Sequence, residues 1–98
     1  MKTIKTVLKS IPNVQNMRSS NGNDVPNQFE IYTKDGKFFQ SYSTVIAAKL
    51  NDGRILLDAR KWDYSTTTGK YRNQFLNMDK KETERAIKDG HIKLVDLN

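Results

Sequence analysis

The chain has 98 residues, with 17 lysines and arginines against 11 aspartates and glutamates, a net charge of +6 and a pI near 9.7. That length supports one domain with a modest core, 1–98. The lack of cysteine excludes disulfides and thiolate metal sites, and the single histidine, His91, excludes multi-histidine metal centres and argues against a histidine-activated nucleophile.

Residues 1–27 form a basic segment. The first 23 residues carry Lys2, Lys5, Lys9 and Arg18 and no acid. The start, "MKTIKTVLKS", has no continuous apolar stretch and does not read as a signal peptide. No apolar run approaches the roughly 20 residues needed to span a bilayer, so the expectation is a soluble intracellular domain without a membrane partner. "TIKTVLKS" fits a strand, with Ile4, Thr6 and Leu8 on one face, or a short helix. "IPNVQNMRSSNGNDVPN" has Pro12, Pro26 and a run of Asn, Ser and Gly, which reads as loop.

Residues 28–60 read as β-hairpins. Asp-Gly recurs in "KDGK" (Lys34 to Lys37), "NDGR" (Asn51 to Arg54) and "KDGH" (Lys88 to His91). Between β-prone runs it is the strongest short hairpin signal. Centring the first turn on Asp35-Gly36 sets Lys34 against Lys37, Thr33 against Phe38 and Tyr32 against Phe39. Alternation then puts Phe29, Ile31, Phe38 and Tyr42 on the core face. Glu30, Tyr32, Lys34, Lys37, Phe39 and Ser41 fall on the other. On that register, Tyr32 beside Phe39 with two lysines above forms a base-stacking platform. Ordinary cross-strand packing, or a helix laid over that face, is the competing expectation. A one-residue slip would exchange the faces. The second hairpin, "STVIAAKL" with "ILLDARKW", lacks clean alternation, which predicts cover on both sides.

Residues 62–98 read as helix, helix and strand. "WDYSTTTGKYRNQFL" holds Thr-Gly-Lys but fails as a phosphate loop: only Gly69 precedes Lys70, and Tyr71 follows it. Its spacing is helical. Asp63 or Ser65 can cap, and Tyr64, Thr68, Tyr71 and Phe75 share a face. Trp62 and Phe75 are expected in the core. Arg72 lies beside that apolar face, to pair with Asp58 or Asp63 or to contact an anion. Lys70 points outward. Asp79 and Glu82 have the form of a capping box, and Gly90 ends the second helix. "HIKLVDLN" returns as a last strand. The expected fold is α+β: a small antiparallel meander packed with two consecutive helices near 65–76 and 80–89 and a final short strand.

"WDYSTTTGKYRNQFL", "KKETERAIKDGHIKLVDLN" and "SSNGNDVPNQFEIYTKDGKFFQSYSTVIA" together resemble small proteins encoded by bacteriophages of Gram-positive hosts. The resemblance covers nearly the whole chain. It implies a phage accessory protein in the cytoplasm of an infected bacterium, and it carries no activity or functional residue with it.

Three functions follow as expectations. The first is a nucleic-acid-associated protein using Tyr32, Lys34, Lys37, Phe39, Lys70 and Arg72. The second is an anti-defence inhibitor that binds a host protein complex. The third, an enzyme, lacks a motif placing any of Glu30, Asp58, Asp63 and Glu82 as a pair in a cleft. No cofactor is implied, and an exposed edge strand allows a homodimer.

Overall fold

The computed structural model describes residues 13–98, so the expectation for residues 3–10 lies outside the described part. Six strands form one sheet in the order β1-β2-β3-β4-β5-β6. They are β1 (Asn13–Arg18), β2 (Asp24–Thr33), β3 (Gly36–Ser41), β4 (Thr44–Leu50), β5 (Ile55–Asp58) and β6 (Ile92–Val95). The first five make an antiparallel meander. After β5 the chain forms α1 (Thr66–Leu76) and α2 (Lys80–Lys88), then returns β6 parallel to β5. The fold is α+β, with a mixed, mostly antiparallel sheet. No helix among the described residues is long and apolar enough to cross a membrane.

Two expectations change. The segment read as loop contains β1 and the start of β2. Its polar residues suit an edge strand, which needs apolar side chains on little of its surface. Only Met17 in β1 is buried. Pro26 lies where the β1–β2 ladder slips, between the Asn16–Phe29 and Arg18–Asp24 pairs, so its missing N–H breaks no regular rung.

The second change is the register of the first hairpin. Thr33 pairs with Gly36, Tyr32 with Lys37, Ile31 with Phe38 and Glu30 with Phe39. The turn is therefore Lys34-Asp35, and Gly36 is already the first residue of β3. Moving the turn by one residue shifts each partner by two, so Tyr32, Lys37 and Phe39 stay on one side of the sheet as expected; what changes is that this side, expected outside, is the core. Phe39 is fully buried, in a row with Ala47 and Leu57, which are equally buried. Its ring stacks on Phe75 of α1, centroids 5.9 Å apart. Phe39 is thus a core residue, and no Tyr32–Phe39 platform exists. The helix-covered alternative is the one the fold adopts.

Gly36 explains the register. Its φ is +148°, and a Cβ there would lie 2.3 Å from the Lys49 carbonyl oxygen and 2.8 Å from the Leu50 Cα. The glycine serves the close approach of β4, a need that no reading of local turn chemistry reveals.

β4 hides its alternation for a separate reason. Phe39 pairs with Ala47 but Gln40 pairs with Val45, so Ile46 is an extra residue in a bulge. Ile46, Ala47 and Ala48 are all buried in consequence. Both helices lie over one face. Ile31, Phe38, Ala48 and Leu56 form the central row of the other, and no described helix covers it.

The helices stand where spacing put them. Ser65 caps α1, its Oγ accepting from the Thr68 amide. Asn77, left-handed at φ 56°, closes it. Asp79 and Glu82 make a reciprocal capping box on α2. Gly90 ends α2: its N–H donates to Ile87 and that of His91 to Ala86, a Schellman closure. Thr68, Tyr71, Phe75 and Leu76 point inward, whereas Tyr64 precedes the helix and stays 44% exposed. Lys49 reaches up from β4 to donate to the Phe75 carbonyl, supplying a cation to the end of α1, whose last turn has none of its own.

Candidate functional site

A cleft of about 630 Å³ opens at the amino end of α1, lined by Asp63, Tyr64, Ser65, Thr66, Gly69, Lys70, Arg72, Asn73 and Lys80. Its position follows from the link between β5 and α1. Asp58 ends β5 with a nearly buried carboxylate that accepts from the Arg60 and Lys61 amides and turns the chain. The same carboxylate accepts from the Leu97 amide and the Asn98 side chain. Burial opposes its charge, but these donors outweigh burial and hold the carboxyl below its ordinary value.

Arg72 organises the floor. Its side chain is 1% exposed. Nη1 donates to the Trp62 carbonyl at 2.8 Å and to Asp63 at 3.0 Å, and Nη2 donates to the Asn73 side chain at 2.9 Å. The guanidinium lies 5.1 Å from the centroid of the Trp62 ring, which is itself half-buried against the core. Nε alone has no acceptor among the described residues. Of the two partners expected for Arg72, Asp63 is the one it takes.

Asp63 accepts from a second cation, Lys80 at the start of α2, at 2.8 Å. That hydrogen bond is the largest influence on the carboxyl, which sits below its ordinary value despite some desolvation. Arg72 adds to the effect. Lys80 is correspondingly raised by Asp63.

The rim is cationic and aromatic. Lys61 lies 5.3 Å from the centroid of the exposed Tyr64 ring, and Lys70 lies 5.4 Å from that of Tyr71. Lys70, Arg72 and Lys80 against Asp63 alone leave two positive charges in excess within the lining. No acid stands in the first turn of α1, so the positive end of its dipole faces the cleft uncompensated.

The six residues singled out in the sequence do not form one site. Lys70 and Arg72 meet in this cleft. Tyr32 and Lys37 are neighbours across β2 and β3, with the Lys37 ammonium 5.4 Å from the centroid of the Tyr32 ring. The Tyr32 hydroxyl donates to Glu30, which raises its pKa. Lys34 is exposed in the adjoining turn, and Phe39 is core. Lys61 and Lys80 are not singled out by the sequence, and Tyr64 is expected there only on the helix face that Thr68, Tyr71 and Phe75 share. The signal for Lys80 was its place one residue after the Asp79 cap, which brings the start of α2 back beside Asp63. Among the described residues no cluster of three or more His, Asp or Glu side chains could hold a metal ion.

No curated protein and no solved structure matches the chain. A family model does match it, over residues 12–90, and it spans β1 to the end of α2. The chain belongs to that family, DUF8033, described as a family of unknown function.

Proposed function

We propose that this is a non-enzymatic accessory protein of bacteriophage origin, working in the cytoplasm of an infected bacterium, and that it binds nucleic acid through the amino end of α1. The observation that carries this reading is that Lys70, Arg72 and Lys80 line one cleft with the exposed Tyr64, whose ring Lys61 also approaches, and that Asp63 is the sole acid in that lining among the described residues. Lysines neutralise backbone phosphates, and an exposed tyrosine offers a face for an unpaired base. The net charge of +6 favours the same class of partner.

Fluorescence anisotropy with a labelled single-stranded oligonucleotide tests it. The logarithm of the binding constant should fall linearly with the logarithm of salt, by about 0.7 per phosphate contacted. Alanine at Lys61, Lys70 and Lys80 together should flatten that slope. Alanine at Tyr64 should weaken binding by about 1–3 kcal/mol and leave the slope alone. Undetectable binding at about 50 mM salt defeats the proposal. The anti-defence reading then takes its place. It is favoured by the sheet face that no described helix covers, where Phe29, Ile31 and Phe38 are half-buried and Val14 is exposed.

A further inference from the structure

The amino end of α1 holds more donors than the fold uses. Ser65 Oγ takes the Thr68 amide and the Ser65 carbonyl takes the Gly69 amide. The Thr66 and Thr67 amides, the first two of the helix, have no acceptor within it. Convergent amides at a helix start, with the dipole behind them, suit an anion.

Arg72 is an independent second feature. It is almost fully buried, lines the same cleft, and among the described residues its Nε–H has no partner although its other nitrogens are bonded. A buried donor without an acceptor is costly, more so on a charged group. Gly69 keeps the space beside it open: a Cβ there would meet both Arg72 Nη atoms at 3.7–3.8 Å.

We infer that this cleft is a receptor for a phosphate monoester, seated against the Thr66 and Thr67 amides, Lys70, and the free Nε–H of Arg72. The inference deepens the nucleic-acid reading and rests on it for the biological source of the group. The charge selects the monoester. Near neutral pH a phosphate monoester carries about −1.5 to −2, which matches the two surplus positive charges of the lining, whereas a backbone diester carries one negative charge. Its three terminal oxygens also meet a set of donors that a diester, with two, would leave partly empty. The sequence "TGK" thus earns a phosphate by a different route from a glycine-rich loop. α1 already starts at Thr66, so Gly69 and Lys70 are helical, and the anion meets a helix end in place of a loop.

The test has two arms. In the first, inorganic phosphate and then a nucleoside 5′-monophosphate are titrated into the protein and followed by ¹H–¹⁵N NMR. The Arg72 Nε–H and the Thr66 and Thr67 amides should shift together and saturate, and Lys70→Ala, an exposed change, should weaken the saturation about ten-fold. If these three signals do not move, the inference is overturned. In the second arm, 5′-phosphorylated and 5′-hydroxyl forms of one oligonucleotide are compared. Tighter binding of the phosphorylated form, by about ten-fold, identifies a nucleic-acid end as the source. Equal binding, with the NMR shifts present, identifies a free phosphate ester and upholds the site. NMR shifts without any oligonucleotide binding uphold the site and remove the nucleic-acid reading. Oligonucleotide binding without the shifts does the reverse.

Discussion

At Gly36 two constraints meet that glycine alone satisfies: a φ of +148° and a β4 backbone so near that a Cβ would lie 2.3 Å from a carbonyl oxygen. Gly53, at φ +94° with nothing within 4 Å, faces only the first kind of constraint. Comparing the two separates them. Gly53→Ala should lose about 1–2 kcal/mol, the penalty of left-handed backbone on a residue with a Cβ. Gly36→Ala adds a clash with backbone that cannot rotate away, and should lose about 2–6 kcal/mol in all. Urea unfolding of both proteins measures it. Equal losses would show that β4 yields and that the close approach is not what demands the glycine.

The elements differ in how openly their residues announce them. α1 contains its own contradiction, a glycine in its second turn. A helix-interior glycine is worse than alanine by about 0.8–1 kcal/mol, and at Gly69 φ is ordinary and the nearest atoms stand at ordinary contact distance. Gly69→Ala should therefore raise the melting temperature by a few degrees. A lowered melting temperature would mean that the Arg72–Asp63 arrangement needs the space.

Both helices were legible because their signals are local: Ser65, Asp79 with Glu82, and Gly90 each act within one turn of where they stand. The strands were less so. Either turn puts Phe39 on the side of Glu30 and Tyr32, and that side is core because Phe75 of α1 stacks on it, a contact that no local signal announces. β1 was missed because an edge strand with one buried residue, Met17, shows almost no pattern. The cleft was half legible. Lys70 and Arg72 stand in one stretch, whereas Lys80 joins them only through the turn between α1 and α2, and the free Nε–H of Arg72 exists only once its other partners are placed.

For the molecule as a whole, Asp58 ties together parts far apart in sequence. Its carboxylate holds the turn into α1 through Arg60 and Lys61 and the segment after β6 through Leu97 and Asn98. Asn98 also exchanges two hydrogen bonds with the Val45 backbone. The pKa of Asp58 is lowered in the fold, and that of Asp63 likewise. Such groups stabilise the fold fully above the unfolded carboxyl value, and the contribution drains as pH falls through the folded one. Stability should thus hold level down to about pH 5 and decline below about 4. Thermal melts across that range test the assignment. Asp58→Asn should flatten the acid limb, and an unchanged limb would place the dependence elsewhere.

Among the described residues, β1 and β6 are the two margins of the sheet, and each discourages another chain from adding a strand. β1 slips its ladder between Asn16 and Arg18, which bends it out of line, and it ends in an exposed Arg18–Asp24 contact. β6 spans only Ile92 to Val95 and shows Lys93 to solvent. Short length, a bulge and exposed charge are the usual safeguards against edge-to-edge aggregation. These margins guard a sheet that no described helix covers on its second side. The protection against strand addition lies in how the two margins are finished, since the side with no described helix still carries Ile31 and Phe38.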